Sequence, residues 1–390
     1  MRLFCFLLIL FFQTARSADI TLSLGKPSEA GLDPVILESG LKMYRKAIEK
    51  DEVRSAVILI ARQGRVVVHE ALGWKDKERG IPLKKTAMFR MASNTKPVVA
   101  TAIAILAEQG KLRFDNPVHR HLKSFDNAKA REITLHHLLT HTSGFRIKPI
   151  FFEPLIKKSA KHPNAPSLKL EVDRFGKVGA VEPIGKSYSY SNAGYNTLGA
   201  VVETVSGKPL ENYLDHLIYE PLGMDDSYHH EVAEKMDGKL DRMSVVYYRR
   251  EGKWIAGWKP GLSPKYPFVR ASGGMISTAM DYAVFCQMYL NGGIYGGKRI
   301  LKAETVKLIT TPQTASLYSP AEQMKQSHYY GYGWRVHKDG VYGHTGSDGT
   351  AAWVDPKNQL IVLVFTQSPS GSLLRDRFLK LMQLAVRSSN

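Results

Sequence analysis

The stretch FRMASNTKPVVATAIAILAEQG, residues 89–110, restricts the fold more than any other part of the chain. Val98, Val99, Ala102, Ile103, Ile105 and Leu106 make an apolar helical pattern too continuous for a surface helix, so other elements must cover it on most sides. Pro97 falls in the first turn, where a missing N–H costs no intrahelical bond, and Gly110 stands where a left-handed cap would end the helix. A start near Ser93 puts Ser93 and Lys96 one turn apart on one face, beside free backbone N–H groups and the positive end of the helix dipole. A hydroxyl with an amine in reach is a candidate activated nucleophile. The pair alone also reads as a capping serine followed by a solvated lysine. The same spacing at Ser23 and Lys26 is set aside, because Gly25 and Pro27 deny it a helix.

A chain of 390 residues with 44% hydrophobic side chains supplies one or two intimately packed domains. Its first 17 residues read as a signal peptide: Arg2, an apolar run from Leu3 to Phe12, then the small-x-small site Ala15-Arg16-Ser17. That run is about half of the ~20 residues needed to cross a bilayer, and no later run is long enough to span one. The expected mature protein begins near Ala18 and is periplasmic or extracellular. With Cys5 removed, Cys286 is the sole cysteine, which excludes an intrachain disulfide and suits a bacterial periplasm or exterior; its setting DYAVFCQMYL makes it a core thiol. The net charge of +18, two lower without Arg2 and Arg16, is spread thinly. Thin spreading gives a surface attracted to anionic cell-envelope polymers and argues against a nucleic-acid groove, which needs a clustered stripe.

In chain order, Asp33-Pro34 with Ile36, Leu37, Leu41, Tyr44 and Ile48 reads as a capped amphipathic helix. Three hairpins are expected: around Gln63-Gly64, around Asp339-Gly340, and around Pro356 to Asn358. A helix from Leu373 to Arg387 closes the chain. Both ends thus carry hairpins and amphipathic helices, while residues 112–270 read as helices and long loops. The simplest packing is a two-domain α/β arrangement of α+β type. Residues 18–111 and 271–390 form an antiparallel sheet flanked by helices, residues 112–270 are an inserted, mainly helical domain, and a ligand cleft lies between. Residues 146–187, proline- and lysine-rich, read as a long loop beside that cleft.

Two further constellations face such a cleft. Tyr190-Ser191-Asn192 precedes an apolar helix expected from about Tyr195 to Val205. On a non-helical turn Tyr190 and Asn192 can both face the cleft while Ser191 faces away; a buried tyrosine and a turn asparagine are the plain alternative. The same spacing at Tyr289 and Asn291 runs into Gly292-Gly293 and reads as a helix cap. His344-Thr345-Gly346 lies on a late strand, where Gly346 would let a substrate backbone approach the strand edge and the Ser347 N–H could join that of Ser93 as a pair of oxyanion donors. The glycines here also read as hairpin turns. His137 and His141, four apart, lack a Glu after His137 and a third ligand, so no metal and no cofactor is expected and His141 is read as holding a loop near the cleft.

These three constellations, in this order, resemble the serine β-lactamase and penicillin-binding DD-peptidase superfamily, and most closely its class C β-lactamase-like branch. The resemblance extends to DNPV at Asp115, ITLHHLLTHTSG at Ile133, YSNAGYNTLG at Tyr190, PLGM at Pro221, GGMISTAMDYAVF at Gly273, GYGW at Gly331 and GHTG at Gly343, from about residue 30 to the C-terminus. It implies an antiparallel sheet domain made from both chain ends with a helical domain between. Carried onto matching positions, it implies Ser93 as acyl-forming nucleophile, Lys96 as proton acceptor, Tyr190 as second acid/base, Asn192 as substrate-positioning amide, and His344 and Thr345 as holders of a substrate carboxylate. The expected activity is hydrolysis of an ester or amide on a small molecule or peptide. A true β-lactamase, a D-Ala-D-Ala carboxypeptidase or a penicillin-binding sensor that acylates without turnover are the alternatives. Class C lactamases carry Lys where this chain has His344, and an imidazole with an ordinary pKa near 6.5 offers only part of a charge at neutral pH. That weakens the case for efficient β-lactam hydrolysis and leaves acyl transfer untouched.

Overall fold

The computed structural model describes residues 19–147, 158–160, 163, 165–262, 268–369 and 372–387; the expected leader at 1–17 and part of the 146–187 stretch lie outside the described residues. Helix α1, Pro34–Glu49, starts where Asp33 accepts hydrogen bonds from the N–H groups of Val35 and Ile36, at 2.8 and 3.3 Å, with Pro34 in the first turn. Strands β1, Ser55–Arg62, and β2, Arg65–Asp76, fold back through Gln63 and Gly64, at φ of 51° and 76°, the two-residue loop whose twist suits an antiparallel pair. Then come α2, Thr95–Glu108; α3, Leu135–Leu139; α4, Leu168–Val178; α5, Asn192–Ser206; and α6, Ala279–Leu290. The chain closes with β3, His328–Tyr330; β4, Arg335–His337; β5, Tyr342–Thr345; β6, Thr350–Asp355; β7, Leu360–Phe365; and α7, Ser372–Leu384.

Both chain ends meet in one nine-stranded sheet, in the order Ser23–Leu24, β2, β1, β7, β6, β5, β4, β3, with Ile81–Pro82 against β2. The seam is β1 beside β7, with Leu59 opposite Leu363. Both strands are buried along their whole length, which is why SAVILIAR and LIVLVF read as unbroken apolar runs rather than alternating ones. Helices α1 and α7 cover one face, where Tyr44 meets Phe378 edge-on at 5.1 Å. On the other face the core runs from the sheet through α2 and α6 into α3 and α5. Helix α2 packs against α5, and its Thr101 meets Tyr289 of α6 at 2.8 Å; every residue from Thr95 to Leu106 is buried. Gly110, at φ 70°, takes the left-handed position just past its end.

Two expectations need revision, and the mainly helical middle of the chain also holds a hairpin. The middle of the chain is not only helical: Val246–Arg250 and Lys253–Trp258 pair as a hairpin turning at Glu251-Gly252, and the hairpin leans back onto the sheet. There the Tyr247 N–H donates to the Gln367 carbonyl and Trp254 Nε1 to the Asp51 carbonyl, both at 2.8 Å. The 146–187 stretch contains α4, started by Ser167, whose hydroxyl accepts the Leu170 N–H at 3.2 Å. Helix α5 begins at Asn192 and not near Tyr195, because the Ser191 hydroxyl caps it by accepting the Gly194 N–H at 3.1 Å. Cys286 is buried in α6, where burial pushes its thiol pKa up, and Asn291 stands at that helix's end.

Candidate active site

The approach to α2 is a tight turn, Ala92–Asn94, in which Ala92 sits at φ 46°. A left-handed conformation for a residue with a β-carbon costs on the order of 1–3 kcal/mol and persists only where its surroundings impose it. The turn presents Ser93 to a cleft of about 240 Å³ whose walls include Asn192, Ser272, Arg270 and Ser347. On the floor lies Lys96, fully buried, with Nζ 3.1 Å from Ser93 Oγ and 2.8 Å from both Asn192 Oδ1 and the Ser272 carbonyl.

Burial, reinforced by the charges of Arg270 and Arg335, holds the Lys96 amine well below the usual lysine range. A neutral amine has two N–H donors and one lone pair. In that form Asn192 and Ser272 would take the two donors, and the lone pair would face Ser93, whose hydroxyl could donate its proton to it. From the other side Tyr190 donates its hydroxyl to Ser93 Oγ at 2.7 Å. Loss of water around the phenol pushes its pKa up to about 12, against the opposing pull of the Ser93 bond, so Tyr190 keeps its proton at neutral pH. Ser93, Lys96, Tyr190 and Asn192 are thus brought together, with Ser191 turned away into its cap.

Ser347 borders the same cleft, and its backbone N–H has no partner among the described residues, so it is free to receive an oxyanion. The beta hairpin closes the cleft's far side: Tyr248 donates its hydroxyl to Asp348 Oδ1 at 3.1 Å, and Asp348 pairs with Arg90 at 3.2 Å. Behind the wall, buried Gln367 accepts the Arg90 N–H at 3.1 Å and donates to the carbonyls of Arg90 and Asp348 at 3.2 and 3.3 Å. Asn94 reaches Thr350 Oγ1 at 2.9 Å. These bonds bolt the Ser93 turn to the loop that carries Ser347. Nothing in the sequence marked Arg90, Asn94, Asp348 or Gln367, since the bonds that tie Arg90 and Asn94 to Asp348, Gln367 and Thr350 span more than 250 residues.

The late strand behaves differently. Strand β4 pairs with β5 only as far as Gly343, so the β5 edge is open from His344 onward. His344 itself is buried: its Nδ1 lies 2.9 Å from both the Thr345 N–H and the Thr345 carbonyl, and its Nε2 lies 2.9 Å from the Tyr330 hydroxyl. Burial first, and then the charge of Arg335, hold its imidazole well below the usual range. The expected partial charge is therefore absent, and both ring nitrogens are occupied. Thr345 borders a second cavity, of about 370 Å³, between β3–β5 and α7, together with Arg335 and Arg375. Arg335, the residue after GYGW, is the cation that lies close enough to perturb Lys96, Tyr190 and His344, and its Nε has no partner among the described residues. Its place beside β5 on the same hairpin was the signal that sequence reasoning passed over. At Gly346 a β-carbon would collide with the Met91 carbonyl and Thr350 Oγ1, so this glycine serves the close approach of strand and turn.

His137 accepts the Thr134 N–H at 3.1 Å and closes the first turn of α3, while His141 lies against Tyr190. Among the described residues no three His, Cys, Asp or Glu side chains are grouped to hold a metal ion, and no helix is long and apolar enough to cross a membrane.

Comparison with known proteins agrees with this geometry. A protein of Escherichia coli K12 named "Putative D-alanyl-D-alanine carboxypeptidase" is 28% identical over 358 residues, 81% of this chain and 78% of that one. Esterase EstB of Burkholderia gladioli is 34% identical over 224 residues, 55% of each chain. The solved structure of EstCE1, a hydrolase with promiscuous acyltransferase activity, superposes with a TM-score of 0.72 at 21% identity, over 90% of this chain and 98% of that one. Residues 42–385 match the Beta-lactamase family, and with a serine, a buried lysine and a tyrosine gathered on one oxygen, this chain belongs to that family of serine hydrolases.

Proposed function

We propose that the chain is an exported serine hydrolase of the class C β-lactamase-like branch that cleaves an ester or amide through an acyl-enzyme on Ser93. The observation that carries this is the arrangement at Ser93 Oγ, which receives the Tyr190 hydroxyl at 2.7 Å and lies 3.1 Å from the amine of buried Lys96, itself held by Asn192 and the Ser272 carbonyl. Neutral Lys96 takes the Ser93 proton as Oγ attacks the carbonyl carbon. The N–H groups of Ser93 and Ser347 receive the oxyanion, Asn192 orients the acyl amide, and Tyr190 delivers its proton to the leaving group. The proton on Lys96 restores Tyr190, and water then attacks the acyl-enzyme with the same groups acting in reverse.

A substrate carboxylate would be met by Arg335 and Thr345 rather than by neutral His344. That favours acyl donors ending in a carboxylate, such as D-amino-acid peptides, as the second reading, and the carboxypeptidase-named relative points the same way. Export rests on the leader pattern at 1–17, and the net charge, +18 for the whole chain and two lower without Arg2 and Arg16, would keep the mature protein near anionic envelope polymers. The test is a substrate panel on purified protein with Ser93→Ala as control. Turnover of p-nitrophenyl butyrate that Ser93→Ala abolishes supports the hydrolase. Rapid clearance of nitrocefin would make it a β-lactamase, lasting label by a fluorescent penicillin a peptidase or sensor, and turnover surviving in Ser93→Ala would remove the acyl-enzyme.

A further inference from the structure

We propose that His141 is the positioning residue for Tyr190, bracketing it by accepting the backbone N–H groups of both neighbours and backing its ring, so that the phenol stays on Ser93. The inference rests on Tyr190 acting as the acid that protonates the leaving group. His141 follows α3 in a left-handed conformation, φ 60°, at the kind of helix end where glycine or asparagine is usual. A histidine there is disfavoured by the backbone, so its side chain must supply something a glycine could not. Its carbonyl accepts the Ser189 N–H at 2.8 Å and its Nδ1 accepts the Ser191 N–H at 3.0 Å. These are the residues on either side of Tyr190.

The ring packs 4.4 Å from the Tyr190 ring and is itself fully buried, held by Tyr330 at 4.6 Å and Tyr195 at 5.0 Å. Tyr190 is 38% exposed, so its cleft side faces solvent and substrate while His141 is the wall behind it. Because Nδ1 accepts, the ring proton sits on Nε2, and a doubly protonated ring would forfeit the Ser191 bond. Burial, with the nearby charge of Arg335, holds the imidazole well below its usual range and so preserves that acceptor.

A loosened Tyr190 fails selectively. A p-nitrophenolate departs without a proton, whereas an alkoxide needs one, so the defect should grow with the basicity of the leaving group. His141→Leu deletes the acceptor, and His141→Gly deletes it while relaxing the backbone, which keeps the test alive should the leucine variant not fold. Relative to the unmodified protein, both should lose about 10²-fold in kcat/KM on ethyl butyrate and less than about 10-fold on p-nitrophenyl butyrate. His141→Asn keeps an acceptor at the Nδ1 position and tolerates positive φ, so it should recover both substrates to within about fivefold. Thermal melting of each variant reports folding, and Tyr190→Phe is run beside them. Equal losses on the two esters, or none, in the His141 variants while Tyr190→Phe is selective would overturn the bracket alone. A Tyr190→Phe variant without leaving-group selectivity would instead remove Tyr190 as the acid, and the bracket with it.

Discussion

Two segments approach the same cleft with opposite uses of their polar atoms. At the Ser93 turn, the amine of Lys96 and the hydroxyl of Tyr190 both point at one oxygen, and their remaining bonds serve to aim them. At the end of β5, the ring of His344 spends both nitrogens inside the protein, on Tyr330 and on the next residue's backbone. The first segment is arranged for chemistry, because its polar groups converge on an oxygen that borders the cleft. The second gives shape: it carries Ser347 to the cleft, and its glycine lets strand and turn touch. A motif's residue types do not say which of these a segment does; the direction of its free valences does.

This contrast can be broken at several points, taken here from large effects to small. Lys96→Met removes the acceptor for the Ser93 proton and should lower kcat/KM for p-nitrophenyl butyrate by about 10⁴, the upper end for general-base loss. Ser347→Pro deletes a single backbone N–H and should cost about 10² to 10³ in kcat with a folded melt, as expected for one oxyanion donor. Arg335→Gln should reduce kcat/KM about 10- to 100-fold on a depsipeptide ending in a free D-carboxylate and leave its methyl ester unchanged, the scale of one charge-assisted hydrogen bond. Gly346→Ala should lower stability by about 1–3 kcal/mol in urea, through overpacking against Met91 and Thr350. The smallest effect is a null. His344 is held neutral by burial, its folded pKa lying below the ordinary value, so the ratio of kcat/KM between the carboxylate substrate and its ester should stay flat through about pH 6.5. A ratio that climbs as pH falls through that region would restore a charged His344.

Much of the architecture was legible. The hairpins around Gln63-Gly64 and Asp339-Gly340 carry their turn chemistry in the sequence, and the all-apolar face of α2 announced an enclosed helix. What escaped notice did so for physical reasons. The Val246–Trp258 hairpin has its own turn at Glu251-Gly252 but sits among helices, so a coarse reading absorbed it. Helix α5 starts three residues before Tyr195 because the Ser191 hydroxyl caps it, and a serine in a turn-rich stretch carries no local sign of which it does. In the site, Ser93 and Lys96 were readable because a helical turn fixes their separation locally. The roles of His344 and Arg335 were not, because burial and charge at those positions come from strands and helices that only the fold assembles.

The central claim is that Lys96 stands neutral beside Ser93, and the pH dependence of Ser93 phosphonylation tests it most directly. Purified protein is treated with a fluorophosphonate from about pH 5 to pH 10, and the adduct on the peptide containing Ser93 is quantified by mass spectrometry against Ser93→Ala. Because burial lowers the Lys96 pKa, the account predicts a rate that rises and levels off well before the ordinary lysine value of about 10.4, with the plateau lost in Lys96→Met. A rate that keeps climbing tenfold per pH unit toward that value, or a plateau that survives in Lys96→Met, would contradict it.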